Sequence, residues 1–142
     1  MSDDGIPVGP RVMTGGMVWF PRMLDKIRRH AEGRLASDYV PYLGKGFDGR
    51  CLRYLRVDYD DLVTRTLSGG SDEEILLWCF QEGRALSDED IEVWNGFISK
   101  RGWRDGDVVQ KDLEDDKVAD GLGDRTDIVT YFDLDDADEG RT

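Results

Sequence analysis

The chain has 142 residues, with 19 Lys and Arg, 31 Asp and Glu, and one His, which gives a formal net charge of −12. Such a charge repels polyanions, so we expect no nucleic-acid partner and no docking on an anionic membrane surface. One His and two distant Cys exclude a multi-histidine metal centre and a disulfide scaffold, and no metal or cofactor is predicted. The length and a hydrophobic content of 39% fit one domain with one core.

The charged residues are biased in kind, with 23 Asp against 8 Glu and 14 Arg against 5 Lys. Asp is a poorer helix former than Glu, so the bias does not serve the helices. An acidic, Lys-poor surface suits a solvent of very high salt, because screening removes the self-repulsion of the charges. Two interpretations stay open, a salt-adapted source and a GC-rich genome that favours Asp and Arg codons.

The apolar stretches are short. The longest are Met17–Phe20 and Ile75–Phe80, well below the roughly 20 residues that a membrane span needs. The acidic start, residues 1–4, lacks the layout of a signal peptide. We therefore expect a cytoplasmic protein with reduced thiols and no membrane association.

The first predicted element is an irregular leader over residues 1–15, which hold three Gly and two Pro. A helix then runs from Pro21, which suits a first helical turn, to a stop at Gly33. Its spacing predicts a buried face and an opposite, exposed face. The buried face comprises Met23, Leu24, Ile27 and Ala31, and the exposed face comprises Arg22, Lys26 and Arg29.

Two short helices are predicted next, after a loop over residues 34–47. Asp48 is expected to cap the first and Asp58 the second, because an aspartate oxygen accepts a hydrogen bond from the first turn of a helix. The predicted inward side chains are Cys51, Leu52 and Leu55 in the first helix and Leu62, Val63 and Leu67 in the second.

Two capping boxes open the best-specified helices. Residues 71–74 read Ser-Asp-Glu-Glu and residues 87–90 read Ser-Asp-Glu-Asp, and in each the serine and the fourth residue can exchange hydrogen bonds with the backbone. The first helix ends near Gly83 and the second near Gly102, so the pair is expected to form an antiparallel hairpin.

The last forty residues are acidic and harder to interpret. Residues 104–120 carry sparse apolar positions and fit either an exposed helix or a frayed one. An amphipathic segment follows, with Asp127 as its expected cap. Its apolar side chains Ile128, Tyr131, Phe132 and Leu134 are expected to dock on the body of the protein, the alternative being a tethered acidic arm.

The sequence as a whole predicts an all-α fold, since no region alternates polar and apolar residues over the length of a strand. We expect a small single-domain bundle of about five to seven short helices. Its parts are the leader 1–15, a helical core 16–102 and an acidic C-terminal extension 103–142.

Three motifs carry a family resemblance. Gly15-Gly16 precedes Pro-Arg-x-x-Asp-Lys at residues 21–26, and Ser-Asp-Glu-Glu-x-Leu-x-Trp spans residues 71–78. Tyr-Phe-Asp-Leu at residues 131–134 leads to a closing Asp-Glu-Gly-Arg. With these motifs the chain resembles an uncharacterised bacterial family known only as a domain of unknown function. The resemblance implies a small, soluble bacterial protein and brings no catalytic residues with it.

The predicted ligand site is the charged face of the first helix, formed by Arg22, Asp25, Lys26 and Arg29. Spacings of three and four residues place these side chains on one surface, where guanidinium and ammonium groups can hold a phosphate or carboxylate. The alternative is that the same residues pair with one another and solvate the helix.

The remaining reactive residues predict no catalytic site. His30 fits a surface position near a helix end, and Cys51 and Cys79 lie on apolar helix faces, where cysteine packs as a small hydrophobe. The acidic run Asp133–Glu139 lacks the spacing of an EF-hand loop and is interpreted as a solvated tail.

The charge distribution favours an interaction module. Residues 1–56 carry a net charge of +4, residues 57–102 carry −7 and residues 103–142 carry −9. With no catalytic constellation, we expect a non-enzymatic module that binds a protein partner or itself. The alternative function is binding or turnover of a small anionic metabolite at the face formed by Arg22, Lys26 and Arg29, with Asp25 as acid or base.

Overall fold

The computed structural model describes residues 4–142, so the first three residues of the predicted leader lie outside the described part. In chain order the elements are β1 (Met13–Thr14), β2 (Met17–Val18), α1 (Phe20–Ala31), a 3-10 helix (Ser37–Tyr42), α2 (Phe47–Leu55), α3 (Tyr59–Leu67), α4 (Asp72–Glu82), α5 (Asp88–Ser99), α6 (Asp107–Ala119) and α7 (Tyr131–Asp138). The predicted all-α class is confirmed. None of the helices within residues 4–142 is long and apolar enough to cross a membrane.

The described chain divides into two compact units, and the division falls within α5. Unit 1 ends at residue 93 and unit 2 begins at residue 94. The leader is irregular as predicted and closes with a two-residue hairpin, in which Met13 pairs with Val18 and Thr14 with Met17. The leader is also packed, since Trp19 donates its backbone N–H to Pro10 O at 3.0 Å.

Unit 1 has its core around α1, which packs against α3 and β1, while α4 packs against α3 and β1. The apolar stripe of α1 predicted from its spacing is buried for three of its four members and wrong for Ala31, which is exposed. The fully buried side chains of this core include Met17, Phe20, Met23, Leu24, Leu55, Leu62 and Ile75.

The helix starts of unit 1 follow the predicted capping chemistry with one exception. Ser71 and Glu74 form the capping box, and the Asp58 side chain accepts from Asp61 N at 3.2 Å. The expectation that Asp48 caps α2 is wrong, because Gly46 occupies the N-cap position and Asp48 is the buried second residue of the helix. Helix α3 also differs, with Thr66 buried where Leu67 was expected.

The predicted acidic extension is folded and belongs to unit 2. Residues 107–119 form a complete helix, which settles the choice between an ordered and a frayed segment. Helix α7 is capped by Thr130 rather than by the predicted Asp127, because Thr130 and Asp133 exchange hydrogen bonds in a capping box. Leu113, Ile128 and Leu134 form the buried cluster of this unit, so the segment after residue 127 is packed.

Candidate functional site

The predicted exposed basic face of α1 is not exposed. Arg22 and Lys26 are only 3% and 4% accessible, and α1 buries them together with its apolar residues. The helical spacing was correct, but the prediction assumed that charged residues face solvent. Here the first two turns of α1 are covered by the leader and by α2, which supply polar partners for both cations.

Lys26 is neutralised by the buried carboxylate of Asp48. Lys26 Nζ lies 2.8 Å from Asp48 Oδ2, and the two side chains are 5% and 1% exposed. Trp19 Nε1 donates to Asp48 Oδ1 at 2.9 Å, and Gly44 N donates to Oδ2 at 3.2 Å. The Lys26 ammonium also lies 5.2 Å from the centre of the Trp19 ring. The carboxylate is therefore satisfied inside the protein, as a buried charge requires.

Arg22 and Asp25 tie the leader to α1. Arg22 Nη1 donates to Val8 O at 3.0 Å, and its guanidinium lies 5.2 Å from the centre of the Trp19 ring. Asp25 Oδ2 accepts from Val8 N at 2.9 Å and from Arg29 Nε at 3.0 Å. These four predicted site residues thus hold structural partners within unit 1, and their role in ligand binding stays a prediction.

Burial around Asp48 also sets the chemistry of its neighbours. The pKa of Tyr59 is raised to about 12, chiefly by burial and then by the charge of Asp48. Burial likewise raises the pKa of the Cys51 thiol well above its ordinary value, and Asp48 and Cys79 add to the effect. The pKa of Cys79 is raised to about 12 by burial. Both thiols therefore stay protonated at neutral pH and are poor nucleophiles.

The acidic tail residues have structural roles in unit 2. Asp133 closes the capping box of α7, and Arg141 pairs with Asp136 at 3.4 Å and with Glu139. Asp136 is only 8% exposed, so this part of the run Asp133–Glu139 is not a solvated tail. Within residues 4–142, no group of His, Cys, Asp and Glu side chains has a geometry that could hold a metal ion.

A cavity of about 400 Å³ lies in unit 2, in the segment predicted to be an acidic extension. Its walls come from the turn before α6, from one face of α6 and from the loop before α7. The lining residues are Gly102, Trp103, Arg104, Gln110, Leu113, Glu114, Lys117, Gly123, Arg125, Thr126, Ile128 and Val129. Its size is typical of sites for small organic molecules.

A tight turn presents Trp103 and Arg104 at this cavity. Gly102 has a φ of +104° and donates its N–H to Asp105 Oδ2 at 2.6 Å. A Cβ on Gly102 would lie 2.9 Å from Leu113 Cδ2, so glycine permits the close approach of the turn to α6. Arg104 itself has a φ of +53°, a strained conformation for a side-chain-bearing residue.

The turn places the Arg104 guanidinium 4.8 Å from the centre of the Trp103 ring. Trp103 is still 46% exposed, so much of the indole is open to solvent. Among residues 4–142, no carboxylate lies within ion-pair distance of Arg104. The cavity thus has an accessible ring with an uncompensated cation beside it.

Two further cations line the cavity. Lys117 lies on the same face of α6 as Gln110, Leu113 and Glu114, because these positions are three, four and seven residues apart. Its ammonium is 3.2 Å from Glu114 Oε1. Arg125 binds Asp127 through two hydrogen bonds of 2.8 and 2.7 Å, and this pairing lowers the pKa of Asp127 to about 2.

Sequence reasoning missed this cavity because its three cations are dispersed in an acidic segment. Arg104, Lys117 and Arg125 belong to three different elements, and the net charge of −9 over residues 103–142 masks them. The available signals were the Trp103-Arg104 pair after a helix-ending glycine and the basic, polar and apolar residues on one face of residues 110–117.

Comparison with known proteins agrees with the motif-based resemblance. The model of the family described as domain of unknown function DUF5069 matches residues 5–141, which is nearly the whole chain. A search of curated proteins finds no match.

Proposed function

We propose that this chain, which belongs to the DUF5069 family, is a non-enzymatic cytoplasmic binding module for a small organic anion with a flat ring. The proposed site is the cavity of unit 2 rather than the face of α1. One observation carries the proposal: the cavity collects cations from a segment that is otherwise strongly acidic.

The charge counts show how uneven this segment is. Residues 103–142 contain 5 basic and 14 acidic residues. Three of the basic residues line the cavity, namely Arg104, Lys117 and Arg125, whereas Glu114 is the one acidic residue among the described residues that line it. Arg125 and Lys117 carry partner carboxylates, Asp127 and Glu114, whereas no carboxylate of residues 4–142 pairs with Arg104, so the local excess is the charge of Arg104. At physiological salt, charges beyond about 8 Å are largely screened, so a ligand in the cavity interacts mainly with these nearby groups.

The ring preference follows from the apolar part of the cavity. Trp103 supplies an accessible indole, and Leu113, Ile128 and Val129 contribute aliphatic surface. Flat rings stack on indoles, and anionic groups pair with guanidinium and ammonium groups. A ligand that combines an aromatic ring with a carboxylate or a phosphate uses both features.

Two observations support a binding role in a reducing compartment. Both cysteines are unpaired thiols, buried and with raised pKa values, which disfavours their use as nucleophiles. Unpaired thiols are also usual in cytoplasmic proteins.

The test is a titration with simple probes followed by NMR of the four tryptophan indole N–H signals. The Trp103 signal is assigned with Trp103→Phe. Phenyl phosphate and benzoate are expected to shift it saturably, with a Kd of about 1 mM if each of roughly ten non-hydrogen atoms contributes about 0.4 kcal/mol. Neutral benzamide, a near-isostere of benzoate, is expected to bind at least about fivefold more weakly.

Variants identify the site. Arg104→Ala and Lys117→Met are expected to weaken phenyl phosphate binding by about tenfold or more, because each removes a charged partner. Arg53→Ala, which removes an exposed arginine of α2, is the matched control and should leave the Kd unchanged. Two results would refute the proposal. One is the absence of saturable shifts with both anions at about 20 mM, roughly 20 times the expected Kd. The other is a loss of affinity in Arg53→Ala equal to the loss in the cavity variants.

A protein partner, or a second copy of the chain, is the second candidate function. It is supported by Val108 and Val118 of α6, which are 76% and 68% exposed and are the most exposed of the large apolar side chains described. Light scattering on the wild type and on Val108→Ser with Val118→Ser tests it. Self-association that the double variant abolishes supports this candidate, and a wild type that is monomeric and captures no partner contradicts it.

A further inference from the structure

Lys117 is the cavity cation whose present partner can be replaced most easily. Its side chain is 4% exposed, whereas the side chain of its partner Glu114 is 58% exposed. The two are joined by one contact of 3.2 Å between Lys117 Nζ and Glu114 Oε1. A buried ammonium needs a counter-charge, and Glu114 provides it through this single contact.

The other two cations are engaged differently. Arg125 is held by both oxygens of Asp127 in a planar, two-bond arrangement, and the lowered pKa of Asp127 reflects that interaction. Arg104 lies over the Trp103 ring, and no carboxylate of the described residues 4–142 forms an ion pair with it. An incoming anion can therefore displace Glu114 at lower cost than Asp127.

Displacement from Lys117 also increases the conformational entropy of the Glu114 side chain. A glutamate side chain held in one geometry loses rotamer freedom, and it recovers that freedom in solvent. Lys117 has three N–H donors, so a ligand carboxylate or phosphate can occupy more of them than the single oxygen of Glu114 does. Exchange of one anion for the other keeps the buried charge compensated throughout.

We infer that Glu114 is a built-in competitor, whose carboxylate holds the Lys117 ammonium until the anionic group of a ligand takes its place. This inference rests on the proposed function. It places the anionic group of the ligand at the Lys117 end of the cavity, and it implies that Glu114 weakens the binding of anions, whereas a neutral ligand does not compete with it.

The test compares phenyl phosphate and benzamide binding to Glu114→Gln and to the wild type. Glutamine keeps the size of the side chain and removes the competing charge, so the Kd for phenyl phosphate is expected to fall by about fivefold, the equivalent of one exposed ion pair. The Kd for benzamide is expected to change by less than about twofold, because the competition is between anions. Benzoate in place of phenyl phosphate shows whether the site prefers a carboxylate or a phosphate.

The matched control is Asp115→Asn. It removes the same charge from the same helix and also breaks an exposed pair with lysine, because Asp115 lies 2.7 Å from Lys111 Nζ but does not line the cavity. Lys117→Met tests the other member of the pair, and it should abolish the advantage of Glu114→Gln when the two are combined. If Lys117→Met does not fold, the comparison of Glu114→Gln with Asp115→Asn is sufficient.

The outcomes separate this inference from the proposed function. If the wild type binds phenyl phosphate at Trp103 but Glu114→Gln binds no more tightly than Asp115→Asn, the competitor role is wrong and the proposed function stands. If neither the wild type nor Glu114→Gln binds either anion, the proposed function and the inference both fail. A gain for Glu114→Gln that extends equally to benzamide also contradicts the inference.

Discussion

Replacement of Asp48 by asparagine is the sharpest test of the structural role of the charged residues of α1. The substitution keeps an oxygen that can accept from Trp19 Nε1 and removes the charge that compensates Lys26. Because the pair is 5% and 1% exposed, Asp48→Asn leaves a buried ammonium without its counter-charge. Breaking a buried pair in this way costs about 3–5 kcal/mol, a large part of the roughly 5–15 kcal/mol that stabilises a typical domain.

Urea unfolding followed by far-UV circular dichroism measures the loss. With an m-value of about 2 kcal/mol/M, a cost of about 4 kcal/mol lowers the unfolding midpoint by about 2 M. The control is Asp115→Asn, which breaks an ion pair whose side chains are 74% and 61% exposed and should leave the unfolding midpoint nearly unchanged.

A second variant separates the charge effect from general damage to the core. Lys26→Met combined with Asp48→Asn removes both charges, so the double variant is expected to be more stable than Asp48→Asn alone. Two results would show that the pair does not stabilise the core. One is a free energy of unfolding of Asp48→Asn within about 1 kcal/mol of the wild type, as for a surface substitution. The other is a double variant that is less stable than Asp48→Asn.

Three further predictions follow from the titrating groups and the net charge. Cys51 and Cys79 are fully buried with raised pKa values, so they should react with a disulfide reagent at least about 100-fold more slowly in the native protein than in urea, and rapid native labelling would contradict their burial. The Asp127 carboxyl should titrate near pH 2 by NMR, and its pKa should return towards the usual 3.8 in Arg125→Ala. Because folding lowers this pKa, the contribution of Asp127 to stability is present above pH 3.8 and is lost as the pH falls through 2. If the acidic bias reflects salt adaptation, the melting temperature should rise markedly from low salt to molar KCl, and an unchanged melting temperature would favour the genomic interpretation.

The local elements of the fold were predictable because their signals are short in range. In the capping boxes at Ser71 and Ser87, the hydroxyl accepts from the backbone N–H of the acidic residue three positions on, and the carboxylate of that residue accepts from the serine N–H. The stripe of Met23, Leu24 and Ile27 is likewise set by helical spacing alone.

The predicted exposure of Arg22 and Lys26 was wrong because long-range contacts decide burial. Spacing places Arg22 and Lys26 on one side of α1, but only the fold shows that Val8 O and Asp48 contact them on that side. Asp48 illustrates the same point, because its position suggested a cap while Trp19, 29 residues away, and Lys26 determine its actual role. Contacts between residues this far apart along the chain leave no local sequence pattern from which they could be predicted.

The cavity of unit 2 could not be predicted from the sequence for a related reason. Its ring and its cations come from a turn, a helix face and a loop, and they meet only because Gly102 brings the turn within contact distance of Leu113. Composition averaged over residues 103–142 reports only the acidic majority. A sum of charges cannot show which of them share a concave surface.

The location of a bound anion is measured most directly by intermolecular nuclear Overhauser effects between phenyl phosphate and the protein. Contacts are expected from the probe's ring protons to the Trp103 indole and to the methyl groups of Leu113 or Ile128. Contacts confined to α1 around Arg22 and Arg29 would instead support the site predicted from the sequence, and they would contradict the assignment of the ligand to the cavity of unit 2.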